Sequence, residues 1–343
     1  MIPQEMSAAV TRGLVEAFGV AEFEDIHKVS SGTNSNLAYR IVVRGAPFLL
    51  RINTRKGDPA RQYVCMKAAA EAGLAPHVWY TNPEDRICIT DFVETAPLPV
   101  TEALVRLPAL LRTLHALPPF DRAPYNTTCT FLMNKGPALD GFLGAFQQAN
   151  ILPKAESGEW FARYAQVAAV YPYDDAEMVS SHNDLFKPDN ILFDGRRIWL
   201  VDWEAAFLND RYADLAVVAN QLVTNDEEET AYLQEYFGAA PDRYQLARFH
   251  LMQQMAHLFY AMAYLHLGAV GKPIDWSGTV PDFKDYQRRI WAGEVDLTDQ
   301  DVKIIYGRIH LQRLLKNVRQ ARYDEALRIV SESRKMPCGA SGP

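Results

Sequence analysis

The span SHNDLFKPDNILFDGRRIWLVDWE, residues 181–204, holds the residues whose types and spacing could do chemistry. ILF and IWLV are apolar runs on either side of Asp194-Gly195, which is a hairpin signal. The turn length stays open on sequence grounds. If Asp194–Arg197 all lie in the turn, Phe193 faces Ile198 and Asn190 faces Val201. That register sets Asn190 beside Asp202 at one end of the hairpin, with Asp184 just before it on the loop feeding the first strand. Oxygen ligands gathered in this way suit Mg²⁺, which takes carboxylates, water and phosphate oxygens. An acid left off the metal can accept a proton from an attacking hydroxyl.

Other elements must hold that hairpin. Residues 5–19 carry Val10, Leu14 and Phe18 at helical spacing with Gly19 as a stop, predicting a short amphipathic helix. KVSSGTNSNLAYRIVVRGAPFLLRIN, residues 28–53, predicts three antiparallel strands with turns at the polar cluster and at Arg44-Gly45. DPARQYVCMKAAAEAG predicts a helix from Asp58 and Pro59 to Gly73, with Pro76 beyond. RICITDFVE, residues 86–94, predicts a further strand before the Pro-broken linker TAPLPV. Beyond residue 100, helical patterns cover about 101–116, 138–149, 158–169, 211–223, 228–236, 241–268 and 299–333, and the quoted hairpin is the clear β segment. No repeat of solenoid length is present.

The bulk numbers bound the function. The 343 residues suffice for two domains or one two-lobed unit with a sizeable core. Net charge is −7, from 35 basic and 42 acidic residues, which argues against a nucleic-acid partner. Cys65, Cys88, Cys129 and Cys338 lie scattered, without zinc spacing, and read as reduced thiols of a cytoplasmic protein. The N-terminal segment reads as no secretory signal, and no run is long and apolar enough for a membrane span.

HNDLFKPDN…LVDWE resembles the catalytic loop and metal segment of the choline kinase and aminoglycoside phosphotransferase families, relatives of the protein kinases. SSGTNSNLAYRI is similar to the nucleotide loop of choline kinases and FLLRIN to their third strand, and SHND leans to the choline kinase branch. The resemblance covers nearly the whole chain. It implies an α+β, protein-kinase-like two-lobed fold: a small antiparallel β-lobe with one helix over residues 1–94, a larger mainly helical lobe over 95–334 carrying the hairpin and the acceptor site, and a frayed tail at 335–343.

The resemblance also implies roles. Asp184 becomes the catalytic base, and Asn190 and Asp202 become Mg²⁺ ligands. Gly32, Thr33, Asn34, Ser35 and Asn36 cover the ATP phosphates, Arg51 reaches the α/β-phosphates, and Asp91 and Val93 offer backbone groups to adenine. The reaction implied is transfer of the γ-phosphate of ATP to a small-molecule alcohol, choline or ethanolamine first. An aminoglycoside, a sugar or homoserine is the second acceptor reading, and a nucleotide-binding pseudokinase is the reading from another class. Oligomeric state is not readable.

Two departures stand out. The H-R-D-L-x-x-x-N pattern puts five residues from base to asparagine, whereas Asp184 to Asn190 is six, as though Phe186 were inserted. Either the loop bulges by one residue, or Asp189 shares or replaces the role of Asn190. The small-lobe helix also offers Gln62 or Val64 where the family supplies a glutamate to pair with the strand cation.

Plainer readings compete at several positions. His182 reads best as a hydrogen-bonded structural histidine, Asp214 as a helix cap or brace of the catalytic loop, and NDEEET at 225–230 as a solvated helix start. Residues 30–36 alone would be only a turn. Trp203, Tyr260, Trp276 and Trp291 could cage a quaternary ammonium group with Glu204 adding charge, although core packing is the ordinary fate of such rings.

Overall fold

The structure is a computed structural model that describes residues 2–29, 37–54, 57–122, 146, 151–172, 177–186, 188–270 and 272–335. The expected nucleotide loop Gly32–Asn36, all but residue 146 of the helix expected at 138–149, Cys129 and the tail after residue 335 lie outside the described residues.

The chain opens with helix α1 (Ser7–Phe18), whose left-handed Gly19 closes it as the sequence predicted. Strands β1 (Asp25–Val29), β2 (Leu37–Val43) and β3 (Ala46–Ile52) follow, then helix α2 (Ala60–Glu71) and strands β4 (Val78–Asn82) and β5 (Ile87–Asp91). The five strands form one antiparallel sheet in the order β1-β2-β3-β5-β4. Positive φ at both Arg44 and Gly45 makes the tight β2–β3 turn. The two-residue period of β3 then decides its chemistry. Phe48, Leu50 and Ile52 are buried with Val10 and Leu14 of α1, so Arg51 stands on the opposite face. In α2, Asp58 Oδ1 accepts from Ala60 N at 2.8 Å, and the left-handed Gly73 follows its end.

The second lobe is mainly helical: α3 (Val100–His115), α4 (Lys154–Val170), α5 (Arg211–Leu222), α6 (Asp226–Phe237), α7 (Arg243–Gly268), α8 (Phe283–Trp291), α9 (Gln300–Val318) and α10 (Ala321–Lys335). Two small antiparallel pairs sit among them: β6 (Met178–Ser181) with β9 (Phe207–Asp210), and β7 (Ile191–Phe193) with β8 (Ile198–Leu200). Helix α7 is buried on nearly all sides. It can pack closely on α9 because Gly307 has no side chain, since a Cβ there would lie 2.7 Å from Leu265 and 3.0 Å from the Ala261 carbonyl. Asn225 Oδ1 caps α6 by accepting from Glu228 N at 2.8 Å, so the acidic run is a helix start.

Three expectations need correcting. The continuous helix expected at 299–333 is two helices, turning at Arg319-Gln320. Tertiary packing outweighs propensity there: Tyr323 is fully buried and donates its hydroxyl to the Arg163 carbonyl at 2.8 Å. Strands β6 and β9 accompany the hairpin in the second lobe; they are four residues each and far apart in sequence, so no turn signal links them. Strand β4 and helix α8 were likewise not foreseen.

Three histidines in this core, His250, His257 and His310, are nearly inaccessible to solvent. Burial first, then the nearby Arg322 and Arg313, push His250 down to about 3. The unfolded chain therefore binds an extra proton between about pH 6.5 and pH 3, so this contribution is complete above pH 6.5 and is lost progressively as pH falls. Urea unfolding at pH 7 and pH 5 should show a smaller loss of stability in His250→Leu than in the wild type. Equal losses would remove His250 from the acid sensitivity.

Candidate active site

The hairpin fixes the geometry. Asp194 Oδ1 accepts from the backbone N–H groups of Arg196 (2.8 Å) and Arg197 (2.6 Å), and Oδ2 accepts from Trp199 Nε1 at 2.8 Å. The Arg197 N–H and the Trp199 indole, in that order, hold the Asp194 carboxyl below its ordinary range. Phe193 pairs with Ile198, Ile191 pairs with Leu200, and Val201 N donates to Asn190 O at 3.1 Å. The four-residue turn is therefore the correct alternative, and Asn190 and Asp202 lie together at the far end.

The loop ahead of the hairpin is held by a buried carboxylate. Asp214, in the first turn of α5, accepts from His182 N and from Asn183 N, each at 2.8 Å, and lies 3.3 Å from His115 Nε2. His115 Nδ1 in turn meets the Tyr236 hydroxyl at 2.7 Å. Burial alone would raise Asp214; hydrogen bonding to His115 and the fields of His115 and His182 outweigh it and hold the carboxyl below its ordinary range. His182 is fully buried and donates from Nε2 to the Val201 carbonyl at 2.9 Å, which makes it a structural histidine. Burial is the first cause of its lowered pKa. Asp214 braces the loop, the plainer of its two readings.

Two non-glycine residues here are left-handed, Asn183 (φ 65°) and Asp202 (φ 70°). Asn183 Nδ2 donates to the carbonyls of Ala205 (3.1 Å) and Phe207 (3.4 Å), and its Oδ1 accepts from Asn209. The strained backbone thus joins the two segments that carry acids. Carboxylate oxygens of Asp184, Asp202 and Glu204 all lie within 4.8 Å of one another. Asn190 is buried and gives its amide nitrogen to Asp184, at 2.7 Å to the carbonyl and 2.9 Å to Oδ2. Its Oδ1 is the atom it could offer a cation. An all-oxygen set of this kind fits Mg²⁺ better than a softer metal.

With the six-residue step, it is Asn190 that lies against Asp184. The Phe186 ring packs 4.5 Å from Tyr260 and 5.8 Å from Tyr264 on α7, and Gln221 Nε2 donates to the Leu185 carbonyl at 2.8 Å. Asp189 is exposed, while Asn190 is the residue bonded to Asp184. Tyr264 also stands near the acids: burial, then Tyr306, Asp184 and Asp189, push its phenol well above the ordinary range.

A cavity of about 370 Å³ opens between the lobes. Arg51, Cys88, Thr90, Asp91, Val93 and Leu192 contribute to its walls, as do Asn190, Asp202 and Trp203. Arg51 Nη1 lies 3.4 Å from Asp202 Oδ1, so the strand cation does have an acidic partner, supplied by the hairpin rather than by α2. Asp91 has its backbone N–H committed to the His77 carbonyl at 2.9 Å and its carboxylate to Trp79 Nε1 at 2.7 Å. Val93 follows it in the linker wall.

The aromatic cage expected from sequence is not what most of its candidates build. Trp203 is 3% exposed, packs 4.7 Å from the His182 ring and donates to Leu200 O at 3.2 Å. Trp291 donates to Leu98 O at 3.1 Å, and the guanidinium of Arg308 lies over Trp276. Tyr260 is the one that reaches the catalytic loop, through Phe186. Sequence reasoning missed Tyr264, Asn183 and Arg61. Asn183 had a signal as the neighbour of Asp184, whereas Arg61 had none beyond a charge early in α2.

The chain matches the phosphotransferase enzyme family (APH) over residues 25–247 and belongs to that family. No curated protein sequence matches the chain closely enough to count as a relative. Among solved structures, it is similar to a choline/ethanolamine kinase family protein from Mesorhizobium loti, at TM-score 0.64 and 19% identity, covering 95% of this chain and 99% of that one. A choline kinase from Streptococcus pneumoniae aligns at TM-score 0.52 and 15% identity, over 86% of this chain and 99% of that one. A spectinomycin phosphotransferase aligns at 0.53 and 14%, over 87% and 97%. The protein is a phosphotransferase with the kinase-like fold these structures share. No helix among the described residues is long and apolar enough to cross a membrane.

Asp214→Asn keeps the shape of the brace but replaces an acceptor pair with one oxygen and an amide. It should lower stability by roughly 1.5–3 kcal/mol, the worth of one hydrogen bond to a charged group. Because the wild-type pKa is depressed, this stabilisation is present above the unfolded value and lost as pH falls through the folded one. Urea titrations at pH 7 should show the difference; an unchanged midpoint would mean that the loop does not depend on this carboxylate.

Proposed function

We propose that the protein is an ATP- and Mg²⁺-dependent small-molecule kinase that transfers the γ-phosphate to an alcohol hydroxyl, with choline or ethanolamine as the leading acceptor. The carrying observation is that Asn190 and Asp202 line a cavity walled by Arg51 and the linker, with Asp184 bonded to Asn190 and close to Asp202. Asp184 orients the acceptor hydroxyl and takes its proton. Asn190 and Asp202 would hold Mg²⁺, and Glu204 lies close enough to share it. When bound, the cation neutralises charge on the phosphate oxygens. Arg51 reaches the α/β-phosphates and the Val93 backbone faces the base. Catalysis is then mostly positioning and charge neutralisation.

The acceptor side favours a small cationic alcohol over an aminoglycoside. Phe186, two residues after Asp184, is half-buried over the buried rings of Tyr260 and Tyr264, and its exposed part is an aromatic surface of the kind that attracts a quaternary ammonium group. Three of the acids that could draw an aminoglycoside are engaged elsewhere. Asp210 is buried against Arg248 at 2.6 Å, Glu229 pairs with Arg322, and Glu228 accepts from Thr224. The packing of Phe186 against α7 and the Arg51–Asp202 pair weigh against a pseudokinase reading.

An ADP-release assay with Mg²⁺-ATP over choline, ethanolamine, homoserine, sugars and aminoglycosides tests this. One alcohol should give a strong rate, and Asp184→Asn should lower it by roughly 10²–10⁴-fold, the usual worth of a general base. Undiminished transfer in Asp184→Asn would remove Asp184 as the base.

A further inference from the structure

Helix α2 belongs to the small lobe by sequence, yet Cys65 and Ala69 on its buried face pack in the core of the large lobe. Its attachment to the metal segment is made by Arg61. Nη2 donates to the Glu204 carbonyl at 2.8 Å and Nη1 donates to the Ala206 carbonyl, which also lies 3.9 Å from Cys65 Sγ. From the other side, Asn183 takes the carbonyls of Ala205 and Phe207. Four successive carbonyls, 204 to 207, are thus held alternately by the small-lobe helix and by the residue next to Asp184. The end of α2 is tied to the same hairpin by Leu200 N to Leu74 O (2.8 Å) and by Arg197 Nη2 to Gly73 O (2.8 Å).

From this clamp we infer that Arg61 is a positioning residue. It sets Asp202 relative to Asp184, doing with two carbonyl hydrogen bonds what an acid–cation pair from this helix would do. The family's glutamate has no counterpart here: Gln62 or Val64 stands in its place, and Val64 is 65% exposed. A guanidinium suits the task because its planar fork fixes direction as well as distance, which a lysine ammonium cannot do. The segment it grips begins two residues after the left-handed Asp202, so loss of the fork frees the carboxylate that faces Arg51. This inference rests on the kinase reading above.

The test is calorimetric titration of ATP with and without Mg²⁺, alongside thermal unfolding, for wild type, Arg61→Gln and Arg61→Lys. The wild type should bind ATP more tightly with Mg²⁺ than in EDTA. Both variants should lose roughly 10–100-fold of that Mg²⁺-dependent gain, the scale on which groups behind metal ligands act, with affinity in EDTA unchanged. Arg61→Lys should keep most of the thermal stability without recovering the gain, and it carries the comparison alone if Arg61→Gln does not fold. A full Mg²⁺-dependent gain in Arg61→Lys, whatever its melting temperature, would show that Arg61 only glues the helix in place. Failure of the wild type itself to bind Mg²⁺-ATP would overturn the kinase reading and this inference with it.

Discussion

The Asp214 carboxylate, buried under the catalytic loop, is the group on which the site's geometry depends. Burying an ionised acid is costly unless its lone pairs are filled. Here they are filled by the very backbone that must be held, the N–H groups of His182 and Asn183. Each such bond to a charged acceptor contributes roughly 1.5–3 kcal/mol, and each left-handed non-glycine residue costs about 1–3 kcal/mol. The terms are of equal size, so the two bonds offset the strain at Asn183 and Asp202. Without the brace, the loop would relax and Asp184 would leave the plane of the hairpin's end.

The same economy couples the lobes. Alternation along β3 turns Arg51 away from the sheet core and into the cleft, where it meets Asp202. Alternation along 204–207 turns successive carbonyls to Arg61 on one side and to Asn183 on the other. Both contacts are partly buried, where charge-assisted bonds keep more of their strength than at an exposed surface.

Much of this was legible in the sequence because the signals are local. Asp194-Gly195 between two apolar runs specifies a hairpin, and a four-residue turn, one of the lengths the sequence allows, places Asn190 beside Asp202. Gly19, Asp58, Gly73 and Arg44-Gly45 each mark a turn or cap by their own chemistry. What stayed hidden is non-local. The added Phe186 is neutralised by rings on α7, far along the chain, and no pattern near residue 186 announces them. Arg61 acts through backbone carbonyls, which carry no residue identity for a motif to register. The expected cage failed for a related reason: aromatic type says that a ring will be buried, but not in which direction, and Trp203 was used by the core.

The central claim is that Asn190 Oδ1 and the Asp202 carboxylate, brought together by the hairpin, hold a divalent cation on a nucleotide in the interlobe cavity. The most direct measurement is a crystal structure with Mn²⁺ and a non-hydrolysable ATP analogue, the metal located by its anomalous signal. The account predicts a peak bonded to Asn190, Asp202 and phosphate oxygens, with the base against the linker at Val93. Nucleotide in the cavity with the metal bound by other residues, or nucleotide bound elsewhere, would contradict it.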